Sequence, residues 1–188
     1  MSNSIIQLRG EHNLLTVMAA CAIAYAAGFS FEAMRKGIDG FKGVEHRLEI
    51  VRNWNGITWI NDSIATAPER TMAALRSFSE PIVLLLGGHD KNLPWEELAT
   101  MIHSRVNHLI LFGEAAEKIA SVVGQPQPLD RLKAVHQSHI FEDALAIAAK
   151  VSENGDVVLL SPGCTSYDAF KDFEERGNIF KKWVNQLP

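Results

Sequence analysis

Apolar positions recur at helical spacing early in the chain. Leu14, Leu15, Met18, Cys21, Ala22 and Tyr25 predict one helix over residues 11–27, stopped by Gly28. A second, short helix is expected from residue 30 to about 36, ending near Gly37 and Gly40. After Gly43 the pattern changes. Residues 46–54 and 57–60 flank Asn55-Gly56, the strongest short hairpin signal, and predict an antiparallel ribbon. Apolar runs then alternate with amphipathic ones: strands at 82–86, 108–112, 132–135 and 157–160, and helices near 69–77, 94–103, 115–122, 141–151 and 167–173. A last helix is expected over 178–187. Pro68 and Pro94 fall where helices begin, the position at which proline costs least. This alternation predicts an α/β fold: a doubly wound, mostly parallel sheet with helices on both faces and an antiparallel ribbon at its start.

A domain boundary is expected between Phe41 and Val44. Residues 1–42 are a helical piece too small to own a core and read as the tail of a preceding domain, so the chain is expected to be a fragment. Residues 43–188 then form one Rossmann-like domain.

Composition narrows the function classes. Of 188 residues, 47% are hydrophobic and 21% charged, which argues for a folded globular chain and against disorder. A formal net charge of -4 supplies no basic field for a polyanion, so nucleic acid and anionic membranes are not expected partners. The two cysteines, Cys21 and Cys164, sit in unrelated contexts and form no disulfide framework, which suits a reducing compartment. The apolar stretch 14–29 is alanine-rich and too weakly apolar to span a bilayer, and it lacks a cleavage pattern. A cytoplasmic monomer acting on small molecules is expected.

Several short segments carry candidate chemistry. Arg47, in His46-Arg47-Leu48-Glu49, offers a rigid fork of donors that fits phosphate oxygens; the alternative is a surface ion pair with Glu45 or Glu49. Asp62 ends the second strand, where an acid can hold ribose hydroxyls or simply cap the loop. Thr66, ahead of Ala67-Pro68-Glu69, is placed to cap the next helix and to face an anion. Gly87-Gly88 leaves a strand tightly, and Lys91 follows with a mobile positive charge. Ser161 to Ser166 follows a buried strand and is expected to open a helix, making a loop of hydroxyls and N–H groups suited to an anion. Cys164 reads as a small buried thiol rather than a nucleophile. The seven histidines form no metal motif, and neither a P-loop nor a G-x-G-x-x-G fingerprint occurs.

In their order these segments resemble the C-terminal part of the Mur ligases, most closely the members that add D-glutamate. The family shows a histidine-asparagine helix start, H-R-x-E, N-D-S-K-A-T-N, a Gly-Gly loop with lysine, S-P-A-C-A-S and a D-x-F-K-x-F-E-x-R-G segment. The counterparts are His12-Asn13, His46 to Glu49, Asn61 to Ala67, Gly87 to Lys91, Ser161 to Ser166, and Asp168 to Gly177. The resemblance implies ATP-dependent amide formation: a carboxylate of UDP-N-acetylmuramoyl-L-alanine is phosphorylated to an acyl phosphate, which the amine of D-glutamate attacks. It further implies that Arg47 contacts nucleotide phosphates and stabilises developing charge, that Asp62 holds the ATP ribose, and that Asn13 and Thr16 lie near the base or sugar. Thr66, Lys91, Ser166 and Phe173 match the family's D-glutamate site. ATP and magnesium are the implied cofactors.

There are departures. Ile64 stands where the family has a lysine, and Thr16 where it has an asparagine three residues after Asn13. The family's P-loop, its magnesium-binding residues and its modified lysine have no counterpart in the chain, so it is expected to be inactive alone. Two other readings compete: another ligase of the superfamily, such as a folylpolyglutamate synthase, and a non-catalytic Rossmann-like module for a nucleotide or amino acid. The segment from Ser161 to Gly177 disfavours the former, and the missing dinucleotide fingerprint argues against a redox version of the latter.

Overall fold

The computed structural model describes residues 8, 10–41 and 43–188, for 11 and 12 the backbone only. The chain divides into two compact units, Met1–Val44 and Glu45–Pro188. In the first, α1 (Glu11–Ala26) is followed by α2 (Phe31–Ile38), whose N-cap Ser30 accepts a hydrogen bond from the Ala33 N–H at 3.2 Å. Met34 is buried between them and Tyr25 stacks on Phe31. α1 is apolar around its whole circumference, yet Leu15, Met18, Ile23 and Tyr25 are exposed. A helix of that kind is normally enclosed on all sides. The side chain of His12 lies outside the described residues.

The second unit runs β1 (Glu49–Trp54), β2 (Ile57–Asn61), α3 (Pro68–Leu75), β3 (Ile82–Gly87), α4 (Glu96–Arg105), β4 (Val106–Phe112), α5 (Ala116–Val123), β5 (Ala134–Ser138), α6 (Phe141–Val151), β6 (Val157–Gly163) and α7 (Phe173–Asn185). Its sheet has the order β1-β2-β6-β3-β4-β5; only the β1–β2 hairpin is antiparallel. The hairpin turns at Asn55 and Gly56, both left-handed, as Asn-Gly predicts. In β3, alternation sends Ile82, Leu84 and Leu86 into a core with α3, α4 and α5, and Val83 and Leu85 into a second core with α6 and α7. Each fully buried Leu or Ile contributes about 1.5 to 3 kcal/mol of apolar burial. No helix of the described residues is long and apolar enough to cross a membrane.

Four expectations shift. β1 starts at Glu49 rather than at residue 46, because 46–48 form a turn with His46 and Leu48 left-handed at φ 63° and 46°. α4 starts after Trp95, two residues later than Pro94 implied. β5 lies two residues further along than the apolar run at 132. The helix expected over 167–173 is absent: these residues form turns, and one continuous helix, α7, begins at Phe173 and contains Gly177. Asp172 caps α7 by accepting from the Glu175 N–H (2.8 Å), while Glu175 reaches back to the Lys171 N–H (2.6 Å).

Candidate functional site

β2, β6 and β3 are neighbours and run parallel, so their carboxyl ends share one edge, and the loops leaving them carry the singled-out motifs. From β3 the chain passes to α4 on one face, and from β6 it passes to α7 on the other. Divergence of neighbouring connections opens a ligand crevice in sheets of this kind. The two loops are joined at their base by paired backbone hydrogen bonds between His89 and Thr165 (2.9 and 3.1 Å). A Cβ on Gly88 would collide with the Thr165 carbonyl, and its φ of 125° is closed to other residues, so this junction requires glycine.

The turn carrying Arg47 is held from three sides. The His46 N–H donates to Glu49 Oε2 (2.9 Å), the Leu48 N–H to Asp62 Oδ1 (3.2 Å), and the Ile64 N–H to the His46 carbonyl (3.2 Å). The buried His46 ring accepts from Asn61 Nδ2 (2.9 Å) and meets Phe173 edge-on at 6.0 Å. Gly177 makes room for it, since a Cβ there would overlap the ring. Two left-handed non-glycine residues cost on the order of 1 to 3 kcal/mol each, and such strain persists only where surrounding bonds enforce it. Arg47 projects from this turn, exposed. It does not pair with Glu45 or Glu49, because Lys181 takes both (3.6 and 2.8 Å).

Asp62 is not an open acid. Only 4% of it is exposed, Oδ1 accepts from Leu48 and Oδ2 from the Ser161 hydroxyl at 2.8 Å. Burial pushes its carboxyl up to about 7, against the pull of Ser161, the Leu48 N–H, Arg47 and Arg70. In the structure Asp62 therefore braces the Arg47 turn against β6.

Thr66 is half-buried and does not cap α3; the N-cap is Ala67, without a side-chain bond, and Pro68 opens the helix. The expected capping role is thus corrected, since Thr66 precedes the cap by one residue. Lys91 is exposed, while its neighbour Asp90 pairs with Lys118. Among the described residues, Arg47, Arg70 and Lys91 form no ion pair. The segment Ser161 to Ser166 does not open a helix, which removes the helix-terminus argument for an anion there: Ser161 to Gly163 belong to β6 and α7 starts further on. Ser166, 2% exposed, takes the Ala169 and Phe170 N–H groups on its carbonyl. Its own N–H and hydroxyl stay outside the hydrogen-bond network of the described residues. Phe173, half-buried, is the first residue of α7 and accepts from Ser63 Oγ at 2.7 Å. Asn13, buried, and Thr16, exposed, lie one turn apart on α1 of the first unit.

Cys164 is buried, which pushes its thiol up to about 12 and leaves no thiolate near neutrality. Among the described residues no group of three or more His, Cys, Asp or Glu is placed to hold a metal ion. Two residues take structural parts that the sequence did not assign to them. Ser161 anchors Asp62, and the fully buried Arg176 bonds both the Ser63 and the Cys164-Thr165 loops. Arg176 was visible as an anomaly, since the spacing of Arg176, Phe180 and Val184 is that of one inward helix face. Three cations without an ion pair, a free N–H and two hydroxyls thus lie on loops at one sheet edge, and these are groups of the kind that bind carboxylates and phosphates.

Comparison with known proteins identifies the family. A UDP-N-acetylmuramoylalanine–D-glutamate ligase of Desulfitobacterium hafniense is 43% identical over 181 residues, covering 96% of this chain and 39% of the relative. One from Clostridium perfringens is 39% identical over 186 residues, covering 97% and 40%. The chain thus spans about two fifths of the length of these relatives. Among solved structures, the UDP-N-acetylmuramate-alanine ligase of Thermotoga maritima shares the fold with a TM-score of 0.68 at 16% identity, covering 96% of this chain and 39% of that one. A folylpolyglutamate synthase of Mycobacterium tuberculosis gives 0.66 at 18%, covering 93% and 41%. The family description "Mur ligase, glutamate ligase domain" matches residues 46–164, which contain the Arg47 turn, Asp62, Thr66 and Lys91 and end at Cys164. The chain belongs to the Mur ligase family.

Proposed function

We propose that the chain is the C-terminal, substrate-binding part of an ATP-dependent ligase that adds D-glutamate to UDP-N-acetylmuramoyl-L-alanine during peptidoglycan precursor synthesis. The observation that carries this reading is the convergence of unpaired Arg47, Arg70 and Lys91 with Ser166 and Thr66 at one sheet edge. The names of the similar ligases support it. D-Glutamate is an amino acid with two carboxylates, and these call for cations and N–H donors. Lys91 pairs with one carboxylate, Ser166 and Thr66 supply hydrogen bonds, and Phe173 walls the site beside His46.

Arg47 has a different task. Its exposed guanidinium sits on a rigid turn and is aimed at phosphoryl oxygens, where it stabilises charge that grows as the acyl phosphate forms and collapses. Bound ATP supplies the phosphoryl group, and Asp62, whose two oxygens are engaged within the chain, serves the nucleotide by steadying the Arg47 turn. Asn13 and Thr16 serve the base or sugar of the nucleotide. Magnesium is held by parts of the longer protein. Residues 1–42 are the tail of the domain that carries the P-loop, which accounts for the exposed apolar surface of α1. The protein works in the cytoplasm as a monomer.

The test compares this chain with the full-length protein in which it lies. With ATP, magnesium, the UDP-sugar acceptor and D-glutamate, the full-length protein releases phosphate in a D-glutamate-dependent way and this chain does not, because only one wall of the site is present. Turnover by the chain that survives further purification refutes the division of labour. Absence of D-glutamate dependence in the full-length protein refutes the substrate.

A further inference from the structure

We propose that Arg176 is a positioning residue that sets the spacing and orientation of Thr66 and Ser166 for an anionic substrate; as to ligand, this rests on the function proposed above. Its side chain is fully buried and all five of its N–H donors are used. Nε donates to Ser63 Oγ (3.0 Å), Nη2 to the Ser63 carbonyl (2.9 Å) and the Cys164 carbonyl (3.3 Å), and Nη1 to the Cys164 (3.3 Å) and Thr165 (3.2 Å) carbonyls. One flat group therefore joins the loop after β2 to the loop after β6. Gly88, from the loop after β3, packs against Nη1.

A planar trans peptide points its C=O and the following N–H in opposite directions. Drawing the Ser63, Cys164 and Thr165 carbonyls inward thus turns the N–H groups of Ile64, Thr165 and Ser166 outward. The first reaches the His46 carbonyl (3.2 Å) and the second the His89 carbonyl (3.1 Å). The third has no partner among the described residues and faces away from Arg176. On the other loop, the Gly163 N–H bonds the Ala65 carbonyl at 2.8 Å, so the residue before Thr66 is held by β6 as well. Among the described residues no carboxylate bonds the buried guanidinium, an arrangement that apolar packing often matches or betters if stability alone is at stake. Lysine cannot replace it, because three donors on one atom cannot span both loops.

Two measurements test this. In the present chain, Arg176→Lys and Arg176→Met are compared with Ile119→Val, a core change chosen to lower stability without touching the loops. Amide exchange at Thr165 and at residues 64–66 is expected to accelerate roughly tenfold or more beyond the change in global stability for both Arg176 variants, and to follow global stability in Ile119→Val. In the full-length protein both variants are expected to raise the D-glutamate KM roughly tenfold, with lysine giving no rescue and the ATP KM within about twofold. Loop exchange that merely follows global stability overturns the positioning role. Altered exchange with an unchanged D-glutamate KM overturns its coupling to the substrate. If D-glutamate is not a substrate at all, the functional reading fails while the exchange data still decide the positioning. Should the Arg176 variants not fold, Ser63→Ala, which removes the Nε acceptor and the bond to Phe173, must show the same acceleration in weaker form; its silence overturns the proposal.

Discussion

Asp62 offers the sharpest quantitative test, because burial holds its carboxyl at about 7 rather than 3.8. A group with a raised pKa contributes stability that is fully present below its unfolded value and is lost as pH rises through its folded value. Moving a carboxyl from 3.8 to about 7 corresponds to roughly 4 kcal/mol of preference for the neutral form. Relaxation and water penetration reduce such costs, so about 2 to 4 kcal/mol is the expected range. Asp62→Asn isolates the effect. The amide oxygen can accept from the Leu48 N–H while its NH2 donates to Ser161 Oγ, whose hydroxyl turns to Thr71 Oγ1 at 3.3 Å. Urea unfolding of both proteins from about pH 4 to about pH 8 should show the variant gaining on the parent as pH rises, most steeply between the unfolded value of 3.8 and the folded value of about 7, and levelling off above it. A stability difference that is flat with pH, or that grows toward acid, refutes the reasoning. The same measurement on Arg47→Ala should move the steep region upward, since Arg47 pulls the Asp62 carboxyl down.

Three further outcomes are expected. In the full-length protein Lys91→Ala raises the D-glutamate KM, whereas Arg47→Ala chiefly lowers kcat, because the first contact exists in the ground state and the second strengthens as charge develops; steady-state kinetics that leave the D-glutamate KM of Lys91→Ala unchanged remove Lys91 from the site. Arg70→Ala also raises the D-glutamate KM, and adding Ile64→Lys restores much of the loss, one charge-assisted hydrogen bond being worth roughly 1.5 to 3 kcal/mol; no effect of Arg70→Ala refutes the compensation. His103 faces the Asp130 carboxylate (2.5 Å) and the Val123 carbonyl (2.8 Å), two acceptors that require a protonated ring. Burial lowers its pKa, but these two partners outweigh it and raise it above 6.5, so the stability it gives over His103→Gln should be full below 6.5 and fall as pH rises through the raised value; a pH-independent difference refutes the protonated His103–Asp130 pair.

Much of the scaffold follows from local pattern. Asn55-Gly56 fixes the hairpin because both residues accept left-handed backbone, and the unbroken apolar run from Ile82 to Leu86 predicts a strand buried on both faces, as found. The start of α7 was also legible: Asp172 and Glu175 form a D-x-x-E capping signal, whereas the small residues and Tyr167 drew the expected helix too early. Chemically notable segments could be picked out singly, since Arg47, Lys91 and Ser166 are the residue types that bind anions.

Their arrangement could not be read so locally. Residues 46–48 look like the start of a strand, and they become a turn because Asp62 and Glu49 claim its N–H groups. Arg47 is left unpaired because Lys181, from the far end of the chain, takes both nearby acids. Asp62 becomes buried and near-neutral because Ser161, 99 residues away, closes over it. Arg176 bonds Ser63 across 113 residues, and that contact orients the two loops that carry Thr66 and Ser166. Periodicity records which face of an element is buried, a property of neighbours three, four or two positions apart. Loop conformation and side-chain charge state depend on hydrogen-bond partners and desolvation, and these exist only once distant segments have packed together.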